Sequence, residues 1–204
     1  MMFPKNNLNG FTIMEAMVVL GIFSIISLGA ASFVIRSNRD TAIIWEQLAT
    51  QSEGRKVLQE VVNDTRRAEV SSVGSFPLVA AGDYSFTFYA NIDEDLLRER
   101  VRFWLSGTTL NKSVLKPSGT PLSYSGVEST LELAHNVVNQ SEGVPIFTYF
   151  DEAYTGTQNS LTQPVSVTDV HVIRVQLELE RDPSKAPVPL HVESTVHVRN
   201  LKTN

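Results

Sequence analysis

The chain has 204 residues, 42% hydrophobic and 19% charged, with a formal net charge of −5 at pH 7. That balance excludes the basic footprint of a nucleic-acid-binding protein, so no nucleic-acid partner is expected. It has no cysteine, which excludes disulfides, thiolate metal sites and cysteine nucleophiles, so any extracytoplasmic domain must stand on its own core.

A short polar stretch, MMFPKNNLNG, opens the chain. From Ala16 to Ile35 come twenty residues without a charge, ended by Arg36, Arg39 and Asp40. As a helix, such a run covers about 30 Å, the hydrocarbon thickness of a bilayer. Lys5 on one side and two arginines on the other do not orient it by charge. Gly29-Ala30-Ala31 has the form of a secretory cleavage site and would release a soluble chain starting near Ser32. Glu15 argues against that reading. A carboxylate at the head of a membrane segment costs roughly 2.5–3.5 kcal/mol on insertion scales and implies a task.

The string Gly10-Phe11-Thr12-Ile13-Met14-Glu15, followed at once by the apolar run, closely resembles the N-terminal signature of type IV prepilins and type II secretion pseudopilins. The resemblance implies a leader, residues 1–10, cut after Gly10 by a prepilin peptidase on the cytoplasmic side. It implies N-methylation of the new first residue, Phe11, and an assembly ion pair between Glu15 and the Phe11 amine of a neighbouring subunit. A carboxylate in lipid is stabilised most by an opposite charge at short range, and removal of the leader frees that amine. Head-to-tail contacts of this kind grow open filaments. The implied partners are other pilin or pseudopilin subunits, the peptidase, an assembly platform and ATPase, and the membrane. The implied location is the inner membrane with an extracytoplasmic C-terminal domain, then a surface or periplasmic filament.

Beyond the span, helix signals continue through TAIIWEQLATQSEGRKVLQEVVNDTRRAEV. Ile44, Leu48, Gln51, Arg55, Leu58, Val61 and Val62 recur at three- and four-residue spacing. Gly54 weakens this stretch by roughly 1 kcal/mol relative to alanine without ending it. The cluster Ser71–Ser75 and then Pro77 give the first strong stop. One helix is predicted from about Thr12 to Ala68, its transmembrane or filament-core part at about 11–36. A pair of helices broken near Asn38 is the alternative.

The remainder, 70–204, reads as β structure. Tyr84, Phe86 and Phe88 alternate with polar residues, as do Val101, Phe103 and Leu105. A turn at Ser106–Thr109 returns the chain through Leu110, Lys112 and Val114. Pro145–Phe150 is an apolar-aromatic run. Ile173, Val175, Leu177 and Leu179 alternate, and after the loop Asp182–Pro187 so do Leu190, Val192, Val196 and Val198. Period-two alternation predicts an antiparallel sheet with its apolar side against a helix, hence an α+β fold. The helix end LQEVVNDTRRAEV and the hairpin ERVRFWLSGTTLNKSV look like the J pseudopilins of type II secretion and the W-type pilus-assembly proteins, which leans toward a minor component.

Asn91, Asp93 and Asp95 partly repeat an EF-hand loop, with Glu99 following, but Leu96 stands where the turn needs glycine. A solvated acidic turn is the preferred reading, and calcium is the cofactor the loop would take. His191, Glu193 and His197 share a strand face, read here as a solvent face and not a zinc triad. No nucleophile elbow, phosphate loop or triad order is visible, so no catalysis and no cofactor are expected.

Overall fold

The computed structural model describes residues 10, 12–93, 95–180 and 189–198. Its first element, α1, runs Ile13–Arg66 without a break at Gly21, Gly29 or Asn38. The long helix therefore forms as one piece, and the alternative of two helices does not hold. The chain divides into two compact units, Met1–Gln47 and Leu48–Asn204.

In the first unit, every described side chain from Ile13 to Thr41 is exposed. Two serines in the apolar run satisfy themselves internally, Ser24 Oγ donating to Leu20 O at 2.7 Å and Ser32 Oγ to Leu28 O at 2.6 Å. Such bonds leave neither hydroxyl proton in need of water, which a helix in an apolar surrounding requires.

In the second unit, the last turns of α1 bury one stripe: Gly54, Val57, Leu58, Val61, Val62 and Thr65. This is the three- and four-residue spacing of a helix face, but it starts later than the sequence pattern suggested. Ile44, Leu48 and Arg55 are exposed. Contact with the sheet decides where the stripe begins. A Cβ on Gly54 would stand 2.6 Å from Leu179 Cδ1 and 3.2 Å from Val192 Cγ2, so the absent side chain is what lets the helix approach. The helix also stops before the serine cluster, with Arg67 N–H bonding to Asp64 O and Ala68 N–H to Thr65 O. Ala68 then bridges Ala90, and Glu69 N–H bonds to Tyr89 O at 2.9 Å. The chain leaves the helix to join the sheet.

Five antiparallel strands follow as a meander: β1 (Leu78–Ala81), β2 (Ser85–Ala90), β3 (Glu99–Ser106), β4 (Thr109–Leu115) and β5 (Ser129–Ala134). β6 (Phe147–Phe150), β7 (Val172–Leu179) and β8 (Leu190–His197) form a separate three-stranded antiparallel sheet. The predicted α+β fold is present, its strands divided between two sheets. Phe86 joins the layers, its ring centroid 4.9 Å from Phe88, 5.7 Å from Phe147 and 6.0 Å from Tyr149. These residues, the helix stripe and the apolar faces of β7 and β8 make one core.

The predicted alternation holds in β7, where Ile173, Val175, Leu177 and Leu179 are buried. In β2 it fails, because every residue from Phe86 to Ala90 is buried. The second face is covered by the chain after β4: Tyr124 packs on Tyr89 at 4.8 Å and donates its hydroxyl to Arg98 O. The β3–β4 turn falls at Gly107, whose φ of +60° suits a two-residue hairpin loop. The loop Asp182–Pro187 and Arg199 lie outside the described residues.

Candidate functional site

At the head of the chain Gly10, Thr12 and Glu15 are all exposed. Phe11 and leader residues 1–9 lie outside the described residues. Thr12 precedes the first helical residue, and Glu15 is third in the helix. The Glu15 N–H donates to Thr12 Oγ1 at 3.2 Å, and the Thr12 N–H reaches Glu15 Oε2 at 3.5 Å. This is a reciprocal capping box, which satisfies two orphan N–H groups at a helix start. The sequence reading assigned Glu15 to assembly alone and missed the cap, although Thr-x-x-Glu before an apolar run is its signature. The carboxylate also sits where the helix dipole favours negative charge.

The acidic residues come together in the β2–β3 loop. Carboxylate oxygens of Asp93, Asp95 and Glu99 lie within 4.8 Å of one another. Glu99, the first residue of β3, is buried at 1% exposure and accepts the Ile92 N–H on Oε2 at 3.1 Å. Lys116 pairs with Asp93 Oδ2 at 2.8 Å and with Asp95 Oδ2. The hydrogen bond from Lys116 holds Asp95 below the usual carboxylate range. Burial pushes Glu99 up, and the charges of Asp93 and Asp95 add to that against the bond from Ile92.

A second charged group ties α1 to β4. Lys112 Nζ lies 2.7 Å from both Glu60 Oε1 and Asp64 Oδ2. Lys112 thus faces the helix, as a clamp at the rim of the core. Burial raises the Asp64 carboxyl despite the bond from Lys112. For Lys112 burial acts downward, but the bonds to Asp64 and Glu60 outweigh it and its pKa rises. Asp64 thus moves up by burial against the pull of Lys112, while Lys112 moves up by its two carboxylates against its burial.

His191, Glu193 and His197 do not converge as a ligand set. His191 Nδ1 pairs across the strands with Glu178 Oε1 at 2.5 Å, and its Nε2 stands 3.6 Å from Glu193. The bond to Glu178 chiefly raises the histidine pKa. His197 is exposed.

A long helix with an apolar, uncovered first half, capped by Thr12 and Glu15 and continued into a two-sheet domain, fits a membrane-anchored α+β protein. α1 is long and apolar enough to cross a membrane. Residues 5–31 match the family described as Prokaryotic N-terminal methylation motif. A comparison with curated proteins finds no match. The chain therefore carries the prepilin-type head of a type IV pilin- or pseudopilin-like precursor, the kind of chain that a prepilin peptidase processes and that assembles with other pilin subunits as a structural component.

Proposed function

We propose that this protein is a minor pilin or pseudopilin, a structural subunit of a type IV pilus or a type II secretion-like filament, and not an enzyme. Its leader ends at Gly10, and peptidase cleavage yields a mature chain starting with N-methylated Phe11. The apolar half of α1 holds it in the inner membrane, domain outside, until the assembly platform and ATPase draw it into a filament. Glu15 then pairs with the Phe11 amine of a neighbouring subunit. The observation that carries this reading is the methylation motif at the head of an uncovered apolar helix. Fourteen large apolar side chains between Ile13 and Ile35 stand exposed, and leaving them in water would cost on the order of 20 kcal/mol or more. Lipid or neighbouring helices must cover them.

The capping box makes Glu15 testable in two parts. Glutamine can serve the cap as glutamate does, so Glu15→Gln keeps the helix start and removes only the charge. Glu15→Val removes both. With the ion pair in force, both variants insert and are cut after Gly10. Both then lose filament incorporation by about two to three orders of magnitude, as an uncompensated desolvated partner costing roughly 3–5 kcal/mol requires. The measurement is N-terminal mass spectrometry of membrane-extracted protein together with its amount in sheared filaments. Wild-type incorporation of Glu15→Gln would sink the ion pair and leave the cap as the role of Glu15. A mature start near Ser32 would overturn the filament reading itself.

A further inference from the structure

We infer that β5 is a self-pairing edge, through which two copies of this chain join by antiparallel β5–β5 contact centred on Leu131. The inference goes beyond the filament reading and does not rest on it, since it uses neither Glu15 nor the methylation motif. β5 ends the five-stranded sheet, and among the described residues only β4 pairs with it. Its other edge therefore offers backbone N–H and C=O groups as a template for one more strand. Ser129, Thr130, Leu131 and Glu132 are all exposed. The stretch holds neither lysine nor proline, the usual guards of an open edge. The edge strand β8 differs: its Val192 and Val196 are buried, whereas Leu131 is 59% exposed.

The partner of each residue in β4 sets its face. Leu131 pairs with Lys112, which reaches Glu60 and Asp64 on α1, so Leu131 lies on the helix side. Leu133 lines an open groove of about 520 Å³ with Ala49, Lys56 and Val57 of α1. Thr130 and Glu132 pair with Ser113 and Asn111 and lie on the opposite side. Opposed residues of antiparallel strands share a face. With both copies of α1 on one side of the joined sheet, the two-fold axis therefore falls at a residue and not between two. An axis at Glu132 sets two carboxylates against each other, and one at Thr130 sets Glu132 against Glu128. An axis at Leu131 sets Leu131 against its own copy and Thr130 against Glu132, so no like charges meet.

The same register places the exposed leucine of each copy beside the other's, on the face where the groove opens. The irregularity between Leu110 and Asn111 interrupts the β4–β5 ladder beside Leu133, so the joint is short. Its symmetry is isologous and closes at two copies, unlike a head-to-tail contact. Two copies anchored by their helices in one membrane or micelle meet at raised effective concentration, so a short joint suffices.

The chain has no cysteine, so a single introduced thiol can form a disulfide only between copies. The test uses the full chain in detergent micelles under a mild oxidant and reads dimer formation by non-reducing electrophoresis. Leu131→Cys places both thiols at the axis, with Cβ atoms about 4.5–5.5 Å apart, close to disulfide reach. Val127→Cys is the control. It is 95% exposed, but its distance from the axis puts its copy roughly 25 Å away along an extended chain. Dimer should form at least about tenfold faster from Leu131→Cys than from Val127→Cys. In the Leu131→Cys chain, Thr130→Lys should quicken it about threefold by facing Glu132 of the second copy, and Thr130→Glu should slow it by a similar factor. Both positions are exposed, so these changes leave the core intact. Equal rates for the two cysteines would mean collision through the helices alone and overturn the inference. Absence of dimer, or rates indifferent to the charge at position 130, would overturn it too.

Discussion

Residues 13–47 and 48–66 belong to one unbroken helix, yet they solve opposite problems. In the first stretch apolar side chains stand on every face and all of them from Ile13 to Ile35 are exposed. In the second, apolar residues are fewer, and Val57, Leu58, Val61 and Val62 are at 5% exposure or less. Hydrogen bonding and helix propensity do not separate the two. What separates them is the solvent each is written for: one stripe suffices where a sheet provides the other wall, and an all-round apolar surface suits lipid or a bundle of neighbours. Hydrophobicity by itself is therefore no guide to burial within this chain.

Removing the first stretch is the strongest way to break the comparison. A fragment of residues 40–204 keeps the stripe, both sheets and the shared core, and loses the uncovered apolar run. It is expected to be soluble without detergent and to show mixed helix and strand by circular dichroism with a cooperative thermal transition, whereas the whole chain needs detergent. An aggregated or molten fragment would mean that the domain depends on the apolar half of the helix.

The next effect concerns what holds the second stretch to the sheet. Lys112→Met removes the cation from between Glu60 and Asp64 and leaves a mostly buried carboxylate unpaired. The expected loss is about 3 kcal/mol in denaturant unfolding of the fragment. Because burial raises Asp64, its contribution is present below its unfolded pKa and is lost as pH rises through the folded value. The Lys112→Met deficit should therefore shrink on acidification, as Asp64 takes up a proton. Adding Asp64→Leu should restore most of the loss at neutral pH. A deficit that ignores both pH and the second substitution would show that the clamp is not electrostatic.

The smallest expected effect sharpens the comparison with one residue type. Alanine at a helical glycine should gain roughly 1 kcal/mol from propensity alone. At Gly21 a Cβ meets nothing within 4 Å, so Gly21→Ala should leave the domain's melting temperature unchanged. At Gly54 the overlap with Leu179 and Val192 should outweigh the gain, for a net loss of about 1 kcal/mol. Equal melting temperatures for the two variants in detergent would mean that Leu179 moves aside freely and that the close approach is not a constraint.

Much of this was legible in the residues. The helix, its continuity through Gly54, the hairpin at Gly107 and the burial phase of β7 and β8 follow from periods of 3.6 and 2. These are local properties of the backbone. The motif from Gly10 to Glu15 was legible for a different reason: its residues are contiguous in the chain and lie within a stretch, 5–31, that a family model matches as linear sequence. The capping box was equally readable in Thr12 and Glu15 and was overlooked because the carboxylate already had a role.

Other features depended on residues far apart in the chain. Ile44 and Leu48 carry the right spacing but lie before the point where Gly54 meets Leu179 and Val192, so the stripe begins without them. β2 is buried on both faces, and Tyr89 on the second of them is covered by Tyr124, thirty-five positions later in the chain. The strands form two sheets and not one, since that depends on pairing partners rather than on alternation. The acidic loop reads as solvated until the fold sets Glu99 in the interior beside Asp93 and Asp95. In this protein the sequence determined the elements, their periods and the processing signal, all of which act over a few neighbouring residues. Tertiary structure alone decided which apolar face is covered, which glycine is a contact and which carboxylate is buried, because each of those depends on what another part of the chain brings against it.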